Sequence, residues 1–161
     1  MVAGVYGHPS FLLVQTLILP RKLPKKQEEI LAFLKNNPMA SCKGLTNSIA
    51  DLTENGVKYN LNRLKMEQIT RIQQMEQLFD FAKEAMEEPV ITLEKYKELQ
   101  KAIAILSEYY SSKEWKQNYA DDEAGLFPKD LKRGVLSEDG LWNLLADWQE
   151  LKKTMHPITH K

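Results

Sequence analysis

The chain has a single cysteine, Cys42, in 161 residues. That excludes an internal disulfide framework and suits a reducing compartment. Nor is Cys42 placed as a nucleophile, because no histidine lies close in sequence to take its proton. Histidine is nearly as scarce, with His8, His156 and His160 the whole set. The last two stand four apart, as helical metal ligands do, but Pro157 between them marks residues 156–161 as a tail. Long apolar runs are missing as well. Phe11 to Leu19 covers nine residues, with Gln15 and Thr16 inside it, whereas a membrane-spanning helix needs ~20. No Lys or Arg precedes that run, as one would in a signal peptide, so cytoplasm is the expected location and no membrane partner is expected. A phosphate loop, a nucleophile elbow, a zinc cluster and a dinucleotide fingerprint are all absent. No cofactor and no catalytic residue follow from the motifs.

There is no net charge either: 22 basic residues face 22 acids. The balance hides a division. Residues 20–66 hold nine Lys and Arg against four acids, and residues from 67 onward hold thirteen against eighteen. Two parts with opposite charge suit different partners.

What is present is helical grammar, and it predicts a mainly α fold. Residues 1–22 form a leader in which Phe11 to Leu19 reads as one candidate β-strand, closed by Pro20 and in need of a partner edge. Over residues 23–66, Pro24 suits a first helical turn, and Ile30, Leu31, Phe33 and Leu34 make a stripe that Asn36-Asn37-Pro38 ends. Ser41 caps a second short helix with Leu45 and Ile49 inward. Thr53 caps a third, in which Val57, Leu61 and Leu64 recur at helical spacing. Asn55, Lys58, Tyr59, Asn62 and Arg63 take its remaining surface.

This is a trihelical helix-turn-helix pattern. Ile30 to Pro38 together with Val57 to Leu64 resemble the winged-helix modules of bacterial regulators, including those at the C-terminus of Fic-type proteins, over residues 27–65. Asn47 to Asp51 is more polar than the usual second helix and turn. The β-hairpin wing is missing, because Lys65-Met66-Glu67-Gln68-Ile69 runs straight on as helix. The resemblance implies duplex DNA as partner, with Lys58, Tyr59, Asn62 and Arg63 toward the major groove and Lys25, Lys26 and Lys43 on phosphates.

Residues 67–155 read as a second, helical domain. Ile69, Ile72, Met75, Leu78, Phe79, Ala82 and Met86 trace one buried stripe, closed by Pro89. Thr92 caps the next helix, with Tyr96, Leu99, Ile103, Leu106 and Tyr110 inward, and the two should form an antiparallel hairpin. Ser112 caps a short turn carrying Trp115 and Tyr119. Ser137 caps a C-terminal helix, with Glu138 and Asp139 in its first turn, where the helix dipole favours acids. Leu141, Leu144, Leu145, Trp148 and Leu151 face inward there, and Trp142 sits off the stripe. Arg71-Ile72 with Met75-Glu76, Tyr109-Tyr110-Ser111-Ser112 with Trp115, Asp122-Glu123-Ala124-Gly125 and Asp130 to Asp139 together resemble a small bacterial family known as a domain of unknown function, over about Ile69 to Met155. That resemblance implies a domain boundary near residue 67 and no assigned chemistry.

The stretch Asp121 to Asp139 organises this domain. Gly125, Pro128 and Gly134 break regular structure, yet Leu126, Phe127, Leu131, Val135 and Leu136 are too apolar for a free linker. Asp121, Asp122 and Glu123 could offer oxygen ligands to Mg²⁺ or Ca²⁺, but their spacing fits no calcium loop and no metal is assigned. Pairing with Lys132 and Arg133 across the loop is the simpler fate of these acids. A loop site would consist of Asp122, Glu123 and Arg133, with a carboxylate as general base and the guanidinium as an anion clamp.

The expected function is DNA binding, as a transcription regulator whose C-terminal domain senses or assembles. Lys43, Lys58, Tyr59, Asn62 and Arg63 would be the contacts. One alternative is a protein-interaction adaptor, with a protein partner or a homo-oligomer and the exposed Trp142 as its mark. Another is a small enzyme centred on the acidic loop.

Overall fold

The helix starts are set by side chains that accept from backbone N–H groups the helix cannot satisfy itself. In the computed structural model, which describes residues 22–154, there are six helices and no strand among those residues. The fold is mainly α, as the periodicity predicts. They are α1 Lys25–Asn36, α2 Cys42–Ser48, α3 Glu54–Glu87, α4 Leu93–Ser111, α5 Lys113–Glu123 and α6 Glu138–Thr154. The candidate strand Phe11 to Leu19, the three histidines and the 156–161 tail lie outside the described residues. Ser41, Thr53, Thr92, Ser112 and Ser137 each accept from the N–H three residues on, at 3.0–3.2 Å. All five are the residues whose cap chemistry is local enough to read from sequence.

The described residues divide between Thr70 and Arg71 into two compact units. α3 gives its first half to one unit and its second to the other. In the first unit, Ile30, Leu45, Ile49 and Val57 are buried together, with Phe33, Leu34, Cys42, Leu52, Leu61 and Leu64 against them. Cys42 is thus a packing residue. α1 ends where Asn37 folds its Nδ2 back onto the Phe33 carbonyl at 3.1 Å, ahead of Pro38. Lys26 Nζ donates to the Ala50 carbonyl at 2.7 Å, which ties α1 to the turn between α2 and α3. In that turn Asp51 has φ 58°, a left-handed conformation that Asp tolerates and a β-branched residue does not. Asp51→Val should therefore lower the stability of this unit by about 1–2 kcal/mol in thermal unfolding. An unchanged melting temperature would show that the turn can relax.

In the second unit the buried face of α3 is wider than the single stripe expected. Phe81, Ala85 and Glu76 are buried beside Ile72, Met75, Leu78, Phe79 and Ala82. α4 packs against α5 and α6. Tyr96 of α4 meets Trp148 of α6 at 5.4 Å between ring centroids. The short turn expected around Trp115 is in fact the full helix α5. Its last turn takes in Asp121, Asp122 and Glu123, the acids expected to open the loop. The helix closes on Gly125, at φ +70°, whose N–H donates to Asp122 O at 2.8 Å, while Leu126 N–H donates to Asp121 O at 3.0 Å. Only a residue free to adopt positive φ makes this close without strain.

Candidate functional site

Two places gather the residues that chemistry would use, and each lies within one unit. The first is the outer surface of α3 in the first unit. Lys58 and Asn62 are four apart, as are Tyr59 and Arg63, so on a helix the four form one contiguous face. All four are exposed, Tyr59 to 61%. Met66 falls on the same face by its spacing and is also exposed. Arg63 Nη2 pairs with Glu67 at 3.3 Å, and the Tyr59 hydroxyl and Glu67 together hold its guanidinium more basic than usual. Lys43 stands exposed on the first turn of α2. Lys26, expected on a phosphate, is instead occupied by the Ala50 carbonyl and by Glu29 at 3.1 Å.

The second place is the loop from Gly125 to Ser137. Phe127, Leu131, Val135 and Leu136 are buried, and Leu126, just past the helix cap, is exposed. Arg133 is spent inside the loop. Its Nε donates to both oxygens of Asp122, at 2.9 and 3.2 Å, its Nη1 to the Leu131 and Lys129 carbonyls, and its Nη2 to Pro128 O at 2.9 Å. The Asp122 and Arg133 of the expected loop site are therefore brought together, but onto each other. An incoming anion would have to displace bonds that shape the loop. Glu123 is exposed and takes no part in this set. Lys132 pairs with Asp80 of α3, 52 residues earlier, and not with the acids across the loop. Among the described residues no three His, Cys, Asp or Glu side chains are grouped to hold a metal ion.

The residue that sequence reasoning passed over is Glu76. It is 4% exposed, and its carboxylate accepts from Gly134 N–H at 3.2 Å and Val135 N–H at 2.7 Å. Gly134 is required by this approach, since a Cβ there would lie 2.6 Å from Glu76 Oε1 and 3.0 Å from the Phe79 ring. From the other side, Trp115 Nε1–H donates to the Val135 carbonyl at 2.9 Å. Trp115 lies between Tyr110, edge-on at 4.8 Å, and Tyr119, stacked at 5.4 Å. Asn118, also buried, donates to the Tyr109 hydroxyl at 2.7 Å. Burial pushes that hydroxyl up to about 12, against the pull of Asn118, so it stays neutral near pH 7. Arg71 pairs with Glu114, joining α3 to α5. Glu76 of α3 and Trp115 of α5 therefore both hold the loop at Val135, and Arg133 ties it to Asp122 of α5 and to its own carbonyls.

This second unit is where the chain meets known proteins. The family described as Domain of unknown function (DUF4298) matches residues 72–158, more than half of the chain. The match begins after the exposed face of α3. No curated protein and no solved structure matches the chain.

Proposed function

Because the chain belongs to the DUF4298 family through its second unit, a family without assigned chemistry, we propose that the nameable function lies in the unit before it. That function is binding of duplex DNA in the service of transcription regulation in the cytoplasm, with the second unit sensing or assembling. The supporting observation is the unbroken exposed face Lys58, Tyr59, Asn62 and Arg63, set on a three-helix core directly after the Asp51 turn. Each group has a job on DNA. An amide such as that of Asn62 matches adenine N6 and N7, and a guanidinium such as that of Arg63 matches guanine O6 and N7. Lys58, Lys43 and the Tyr59 hydroxyl suit phosphate oxygens. Helix-turn-helix docking needs only the helices, so the missing wing removes a phosphate contact and leaves the groove contact intact.

The test is fluorescence anisotropy of the full chain with mixed duplex DNA. Affinity should be micromolar or tighter at about 50 mM salt and fall roughly twelvefold by about 200 mM, the loss for the two phosphates that Lys58 and Lys43 neutralise. Lys58→Ala should reduce the salt slope by about one, and Arg63→Ala should weaken binding by about 1–3 kcal/mol. Both side chains are exposed, so neither change disturbs the core. No binding at low salt would reduce the module to a scaffold. The adaptor reading is favoured by one observation only: the 62% exposure of Trp142 on the second unit.

A further inference from the structure

Beside the exposed face of α3 stands an acid. Glu67 lies four residues after Arg63, and its side chain is 24% exposed, so packing narrows the positions its carboxylate can take. It accepts from Arg63 Nη2 at 3.3 Å. The Tyr59 hydroxyl meets the same guanidinium from four residues earlier. Tyr59, Arg63 and Glu67 thus run as one line along α3, and the arginine is held from both sides. The fold does not require an acid at this place. Glu67 is in the interior of α3, well past the first turn where the helix dipole would favour a carboxylate. An exposed ion pair one turn apart adds little stability. Against a DNA backbone, an acid on this side of α3 is a source of repulsion.

We propose that Glu67 is a positioning residue that makes Arg63 a reader of guanine instead of a phosphate contact. This role rests on the nucleic-acid reading of the same face. A guanidinium is a planar fork with five N–H donors, and it selects guanine only when two parallel donors meet O6 and N7. A free arginine on a helix surface samples many rotamers, and it reaches phosphate as readily as a base. Glu67, gripping Nη2, removes most of that choice and leaves donors over for the base edge. It also acts against the wrong contact. To reach a phosphate, Arg63 has to turn away from Glu67, which strands a carboxylate beside the negatively charged backbone. Opposite a guanine the pair stays together and its charges remain cancelled. The two phosphates assigned to Lys58 and Lys43 fit this arrangement, because Arg63 is not free to neutralise a third.

The test selects duplexes from a randomised pool with the full chain. Anisotropy then compares the selected duplex with one whose enriched guanine is replaced. The wild type should prefer the guanine about tenfold or more, within the range of one bidentate pair. Glu67→Ala should cut that preference at least about fivefold. The same change should bind mixed duplex about threefold tighter or more, with a salt slope steeper by about one, because Arg63 is released to a phosphate. Its helical circular dichroism should be unchanged, since the pair is at the surface. Arg63→Ala should lose the preference outright, and adding Glu67→Ala to it should remove nothing more, as a residue acting through Arg63 requires. A Glu67→Ala chain that keeps the wild-type preference overturns the proposal. So does a wild-type chain that binds duplex without base preference, a result that leaves the DNA reading standing. A chain that binds no duplex at about 50 mM salt overturns both.

Discussion

Glu76→Ala is expected to lower the unfolding free energy of the second unit by about 3–5 kcal/mol, a large share of the roughly 5–15 kcal/mol of a whole domain. The carboxylate accepts two backbone N–H groups, from Gly134 and Val135, and no water stands ready to replace it, because Glu76 is 4% exposed and Val135 is fully buried. Alanine would leave both donors stranded, each at a cost of about 1–3 kcal/mol, and open a void the loop must fill. Glu76→Gln should cost about half as much, since its amide oxygen still accepts one of the two bonds. All three tryptophans lie in this unit, so their fluorescence during urea unfolding reports on it alone. The midpoint should fall by about 2 M for alanine. A loss below about 1 kcal/mol would mean that the loop is held by its apolar side chains and that Glu76 is incidental.

Glu76 also shows where sequence reading stops. It sits four after Ile72 and three before Phe79, inside the buried stripe, and that position was the available signal. A glutamate is by default assigned to solvent, and its partners lie 58 and 59 residues away. Nothing local announces them. The caps are the opposite case: Ser41, Thr53, Thr92, Ser112 and Ser137 act within three residues, so their chemistry is visible in the string. Asp121 to Glu123 mislead for a physical reason. Acids are disfavoured in a last helical turn by the dipole, which argues for a loop. Here the Gly125 closure and the Arg133–Asp122 pair outweigh that cost and let α5 run on to Glu123. Arg133 was legible as a partner of the acids. That its remaining donors would be taken by three carbonyls of its own loop was not, because backbone acceptors leave no trace in composition.

The exposed faces divide in the same way. Trp142 falls off the α6 stripe by counting alone, and it is exposed. On α3, the surface set Lys58, Tyr59, Asn62 and Arg63 is legible because Val57, Leu61 and Leu64 define the inner face. The diversion of Lys26 to the Ala50 carbonyl, 24 residues on, is not.

Trp115→Ala is expected to cost about 3–5 kcal/mol, as much as Glu76→Ala, and Trp115→Phe about 1–2 kcal/mol. The first removes a buried ring held between Tyr110 and Tyr119. The second keeps most of that packing and deletes the bond from Nε1–H to the Val135 carbonyl. The two residues should not act independently. Glu76 takes the N–H of Val135 while Trp115 takes its carbonyl, so one residue is gripped at both ends by different helices. Once either grip is lost, the segment can shift and the other bond weakens with it. A double-mutant cycle of Glu76→Gln and Trp115→Phe should therefore show a coupling of about 1 kcal/mol or more. Fluorescence of Trp148, buried in the same unit and untouched by either change, provides the readout. Additive losses would mean that Val135 stays in place with a single anchor. The loop would then be fixed by Phe127, Leu131 and Leu136, and Glu76 and Trp115 would each serve their own helix.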